Sequence, residues 1–153
     1  MNSQPGLFAG HFAHIGYVTG DARAAAAAFE AQQNISGWRF KEQVTIEVGD
    51  GTSILANIAK AKAGDILIEL IEPLSGNDGI YRNYLGQARE QAVFHHLAFR
   101  LDSPAALEAA RLKATSLGAT LVLQSSYPDG TGSFYADTRH LFGHYIECYC
   151  PYP

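Results

Sequence analysis

Four residues in this chain have the types and the spacing for metal chemistry. His14 lies in "HIGYV" and His96 in "HHLAFRL", while Glu69 lies in "ELIEP" and Glu147 in "ECYCP". Each glutamate stands four residues before a proline. Two imidazoles and two carboxylates suit a divalent transition metal; cobalt, nickel, manganese, zinc and iron all tolerate the set. Four protein ligands in octahedral geometry leave two positions for water or for two neighbouring substrate oxygens. A carbonyl bound there would be polarised by the metal acting as a Lewis acid. A glutamate buried alone on an apolar strand is costly, and a metal removes that cost at both positions.

Strands must position these groups, and neighbouring strand residues point to opposite faces. In "HIGYV", His14, Gly16 and Val18 share one face and Ile15 and Tyr17 the other. In "HHLAFRL", His95, Leu97, Phe99 and Leu101 form a bulky apolar face of the kind a helix packs on. His96, Ala98 and Arg100 are left on the opposite, concave face. Glu69 faces away from Ile66, Ile68 and Leu70. Glu147 shares its face with Tyr145 and Tyr149, opposite Ile146, Cys148 and Cys150. Only one histidine of the "HH" pair can then face a pocket, and it is His96.

The elements repeat. "HIGYVTGD" reads as a strand, and "DARAAAAAFEAQ" as a helix with Asp21 as N-cap. "WRFKEQVTIEVG", "SILANIAKA" and "ILIELIEP" follow as strands, separated by "DGT" and "AGD" turns. A turn-rich stretch with a short helix around Ile80–Leu85 is the linker. The second half restarts with "HHLAFRL" and a helix in "DSPAALEAARLKATSLG", with Ser103 as N-cap, Pro104 first in the helix and Gly118 at its end. Three more strands close the half: "TLVLQSSY", "SFYADT" and "GHYIECYCP". Both halves are βαβββ, an internal repeat. The expected fold is α+β, with two tandem βαβββ modules forming a curved mixed sheet around a central concave metal and ligand site. We expect one domain over 1–153, with module 1 at about 11–74, the linker at about 75–92 and module 2 at about 93–151. A pseudo-twofold relation between the halves would bring the four candidate ligands together.

Composition narrows the class. With 153 residues, 47% apolar and 17% charged, the chain is long enough for one domain with a real core. The net charge of −4 argues against a nucleic-acid-binding surface. No apolar run approaches the ~20 residues that span a bilayer, so no membrane partner is expected. "MNSQPGLFAG" lacks the basic and apolar regions of a secretory signal. Cys148 and Cys150 are two apart on one extended segment, too poorly placed to bridge. We expect free thiols and a cytoplasmic location.

The paired modules with "HIGYVTGD", "IELIEPL", "HHLAFRLD" and "GHYIE" resemble the vicinal oxygen chelate superfamily. It includes glyoxalase I, methylmalonyl-CoA epimerase and the extradiol dioxygenases. The resemblance covers about His11 to Pro151. It implies the metal ligands His14, Glu69, His96 and Glu147. The 27-residue separation of Glu69 and His96 resembles the epimerase layout more than that of glyoxalase I. A fourth ligand departs from the extradiol dioxygenases, which use two histidines and one carboxylate. The epimerases carry a general-base glutamate in a "PEHGV"-like stretch. This chain has "VGDGTSI" there, so Asp50 is either the base or a turn residue. Glu147 is the alternative base, acting by partial dissociation.

The implied function is a metal-dependent enzyme that abstracts a proton next to a carbonyl, through a stabilised enolate: an epimerase, isomerase or glyoxalase-like lyase. Its partner would be a small-molecule carbonyl or thioester. Arg100, Tyr135, Arg139 and Tyr145 are candidate substrate contacts. Each has an ordinary structural alternative, a carboxylate partner for Arg100 and a solvated loop for Tyr135 and Arg139. Many relatives are dimers, so the resemblance allows a homodimer. The competing functions are a small-molecule binding or sequestering protein of the same fold, or an extradiol-type dioxygenase.

Overall fold

A computed structural model describes residues 10–85 and 91–151. Most of the N-terminal segment tested for a signal, and residues 86–90 of the linker, lie outside the described residues. The order of elements is β1 (His11–Thr19), α1 (Ala22–Gln33), β2 (Arg39–Glu47), β3 (Ser53–Ala63), β4 (Ile66–Gly76), α2 (Gly79–Leu85), β5 (Ala92–Arg100), α3 (Pro104–Ser116), β6 (Thr120–Ser126), β7 (Gly132–Asp137), α4 (Arg139–Phe142) and β8 (Tyr145–Cys150). The fold is α+β, as the sequence pattern implies. Contacts group residues 14–96 into one unit and residues 10–13 with 97–151 into another, so β1 and β5 are each divided between the two.

In the 14–96 unit the strands run β2-β3-β4-β1. β1 pairs in parallel with β4, and β2-β3-β4 are antiparallel. α1 starts where Asp21 accepts the Ala24 N–H at 2.9 Å, an N-cap worth about 1 kcal/mol. The alanine run does two jobs: Ala25 and Ala26 are buried, whereas Ala24, Ala27 and Ala28 are exposed. The two buried alanines meet Ala59 and Leu70, with Tyr17, Phe29, Trp38 and Phe40 packed around them. Small residues on the helix let it lie close to the sheet. β4 continues past Pro73 to Gly76, and a register shift at Leu55/Ala56 sits opposite that proline. Proline has no N–H for the ladder, so an irregularity there relieves the mismatch.

In the other unit the strands run β8-β7-β6, all antiparallel. Ser103 caps α3 by accepting the Ala106 N–H, with Pro104 in the first turn. α3 places Leu107, Ala110 and Ala114 against Leu101, Phe134, Ala136, Ile146, Cys148 and Cys150. The face assigned to Ile146, Cys148 and Cys150 is thus the helix-packed one. Both thiols are free and buried. The short helix α4 interrupts what reads in sequence as a plain hairpin; Gly143 ends it at φ 76, a conformation glycine adopts without strain. Among the described residues no helix is long and apolar enough to cross a membrane.

Candidate metal centre

The β1/β4 register fixes the first two site residues. His14 is opposite Leu67 and Gly16 is opposite Glu69, so all four lie on the face turned away from α1. His96 enters from β5. Its imidazole occupies the space over Gly16: a Cβ built there would lie 1.9 Å from His96 Cε1. Only glycine leaves room for that ring. Strand alternation alone puts Gly16 on this face without revealing that role. The signal was the glycine two residues after the histidine in "HIG".

The three side chains converge. His14 Nε2 is 3.1 Å from His96 Nε2, and Glu69 Oε2 is 3.1 Å from the former and 3.6 Å from the latter. One ligand atom from each lies within 4.8 Å of the others, and all three residues are buried. Burial pushes the Glu69 carboxyl up. The charge of His14, hydrogen bonds to His14 and His96, and the Lys60 ammonium together overrule it, holding the carboxyl well below the usual carboxylate range. Lys60 is an unforeseen partner. It is opposite Glu69 in the β3/β4 register, with Nζ 3.1 Å from Oε1. A carboxylate with no basic neighbour in sequence acquires one from the adjacent strand.

His95 is tied to the same centre from behind. Its Nε2 is 3.0 Å from the Ile80 carbonyl oxygen and its Nδ1 is 2.9 Å from His96 Nδ1, with Tyr81 and Tyr84 against the ring. A carbonyl only accepts, so His95 Nε2 carries the proton. In the neutral ring, Nδ1 then accepts from His96 Nδ1–H. His96 is left with its lone pair on Nε2, the atom aimed at His14 and Glu69. α2 is held in place for this by Arg82, which binds Asp78 and donates to the Pro73 carbonyl. Strand alternation sends the two histidines to opposite faces, yet their rings meet. The two side chains still differ in role.

The remaining candidates have definite places. Asp50 is exposed in the β2–β3 turn, where it accepts from Thr52 N–H at 2.9 Å and Thr52 Oγ1 at 2.6 Å. Those bonds lower its carboxyl below the ordinary value. Arg100 is exposed, with its guanidinium 3.7 Å from Asp102. In the second unit Tyr135 is opposite Glu147 in the β7/β8 register, and Tyr145 lies two residues before Glu147 on the same face. Tyr135 and Tyr145 are buried and Glu147 half-buried. Arg139 binds Asp137 and stacks over the Tyr145 ring at 4.7 Å. Glu72, on the same strand as Glu69, is half-buried. It accepts from the Ala22 N–H at the start of α1 and from Asn57.

Residues 12–136 match the model of the Glyoxalase/Bleomycin resistance protein/Dioxygenase superfamily. The chain belongs to that superfamily, the vicinal oxygen chelate fold of the sequence resemblance. Solved structures with the same fold include methylmalonyl-CoA epimerase from Mycobacterium tuberculosis, at 19% identity and TM-score 0.61, covering 96% of this chain and 91% of that one. A hypothetical protein from Bacillus halodurans matches at 18% identity and TM-score 0.61, covering 93% and 94%. A Streptomyces coelicolor methylmalonyl-CoA epimerase variant in complex with 2-nitronate-propionyl-CoA matches at 16% identity and TM-score 0.61, covering 94% and 99%. A comparison of the sequence with curated proteins finds no match.

Proposed function

We propose that this protein is a divalent-metal-dependent enzyme that moves a proton next to a carbonyl, an epimerase or isomerase of a small acyl thioester. The observation that carries the reading is the buried convergence of His14, Glu69 and His96. The donor chemistry fits a divalent transition metal: two imidazoles and a carboxylate kept ionised, with one imidazole held in its ligating tautomer. Glu147, the counterpart of Glu69 in the second βαβββ repeat, would be the fourth ligand. A metal held by this set would supply Lewis-acid polarisation of the substrate carbonyl.

The chain's own groups do the rest. Glu147 is the proposed base that takes the α-proton, and reprotonation of the planar enolate on its opposite face completes an epimerisation. Glu147 is a better choice than Asp50, whose turn hydrogen bonds lower its basicity. Tyr135 and Tyr145, on the face of Glu147, would orient the substrate and exclude water. Arg139 would fix Tyr145 through its ring contact. Arg100 would meet an anionic substrate group. The epimerase layout of the fold relatives supports an acyl thioester over a free aldehyde adduct. The tyrosine-lined face also supports a second reading, a small-molecule binding protein. Metal analysis of the purified protein separates the two. Stoichiometric metal, with solvent deuterium entering the α-position of an acyl thioester, is the expected result. Absence of metal, with stability indifferent to chelator, overturns the enzyme reading.

A further inference from the structure

A groove of about 660 Å³ lies along β2 and β3 of the 14–96 unit, a size within the range of small-molecule sites. Arg39, Lys41, Lys60 and Lys62 line it, with Ile58 and Leu67 as apolar floor. These are four of the chain's eleven lysines and arginines, gathered in one groove of a protein with net charge −4. The register explains the gathering. Trp38 and Phe40 turn toward α1, so Arg39 and Lys41 face the other way. Arg39 is opposite Lys60, Lys60 is opposite Glu69, and Lys62 is opposite Leu67. A like-charge pair placed directly across two strands destabilises a sheet. Arg39, Lys41 and Lys62 enter no ion pair among the described residues, and all three are exposed. Within the set, Lys60 alone meets a carboxylate, that of Glu69.

We propose that this groove binds the phosphate-bearing end of a small molecule of nucleotide size. Several point charges and one guanidinium fork along a strip suit successive phosphate oxygens, which accept charge-assisted hydrogen bonds from both kinds of cation. The apolar floor takes the adjoining organic part. Lys60 touches both the groove and Glu69, so a molecule seated here extends toward the candidate metal centre. That last link rests on the proposed function, whereas the groove itself does not.

The test is titration calorimetry of the full chain with adenosine 5′-diphosphate, comparing the wild type with the triple variant R39Q/K41Q/K62Q. The wild type should bind, more weakly as salt rises. The variant, altered only at exposed positions, should keep its circular dichroism and metal uptake and lose about tenfold or more in affinity. No binding by the wild type at millimolar nucleotide, equal binding by the variant, or tighter binding of malonate than of the nucleotide would each overturn the proposal. Nucleotide bound through the groove by a protein that takes no metal would leave the groove standing and the metal reading fallen. Metal uptake without nucleotide binding would sink the groove alone.

Discussion

Glu69 and Glu147 hold matching places, each four residues before a proline on the last strand of its repeat. Their surroundings differ. Glu69 is buried among His14, His96 and Lys60. Glu147 is half-buried beside Tyr135, with Tyr145 and Tyr149 on its face. The first carboxylate therefore sits among titratable side chains drawn from both repeats, whereas the second shares its strand face with tyrosines. The strand pattern dictates where each glutamate points. What it meets there comes from the neighbouring strand, and that differs between the repeats. On the proposed function, the first carboxylate only binds, and the second completes the ligand set and moves the proton.

The largest expected effect is on this contrast itself. Glu69→Ala should abolish metal uptake, a loss beyond the ~10–100-fold that a supporting residue costs. Glu147→Gln should keep most metal while stopping α-proton exchange. Elemental analysis and deuterium incorporation on both variants check the pair, and identical behaviour would erase the distinction.

Next come the two residues that only position His96. Gly16→Ala forces the imidazole aside, because the new Cβ would overlap it. His95→Phe keeps the packing on Tyr81 and Tyr84 but removes the hydrogen bonds to Ile80 and His96. Each should cost about 10–100-fold in metal affinity with the fold retained. For His95→Phe, nitrogen chemical shifts should also show the His96 ring losing its single tautomer. Unchanged affinity in both variants would reduce "HIG" and "HH" to packing.

The prediction with the smallest effect on metal binding tests the helix-packed side of the Glu147 strand. Burial, followed by the charge of Glu147, pushes the Cys148 thiol up to about 12. The folded pKa is raised, so its contribution is intact below the unfolded value near 9 and is lost as pH rises toward 12. Stability should fall by up to ~1.4 kcal/mol per pH unit across that window. Urea unfolding of Cys148→Ala should show a correspondingly flatter slope than the wild type. Parallel slopes would mean that the thiol is not held neutral.

Much of the site was legible in the sequence because strand alternation is strict. The faces of His14, Gly16, Glu69 and Glu147 follow from period two, and the repeat pairs them. Asp21 and Ser103 announce their helices through side chains that can accept a backbone N–H, and both do so. α4 was not legible, since four residues carry too little periodicity to be distinguished from a turn. The roles of Lys60, Gly16 and His95 were not legible either. Lys60 reaches Glu69 through a strand register, Gly16 acts by what it omits, and His95 meets His96 by ring orientation rather than by face.

The sequence by itself determined the α+β class, the repeated βαβββ order and the face of each candidate ligand. These depend on local periodicity and capping, which a few residues encode. Tertiary structure alone decided which groups touch: the Lys60–Glu69 pair, the imidazole over Gly16, the Ile80–His95–His96 chain and the basic groove. Each depends on which strand lies beside which, and in what register. That is settled by the burial of whole faces against α1 and α3, not by any short stretch of residues.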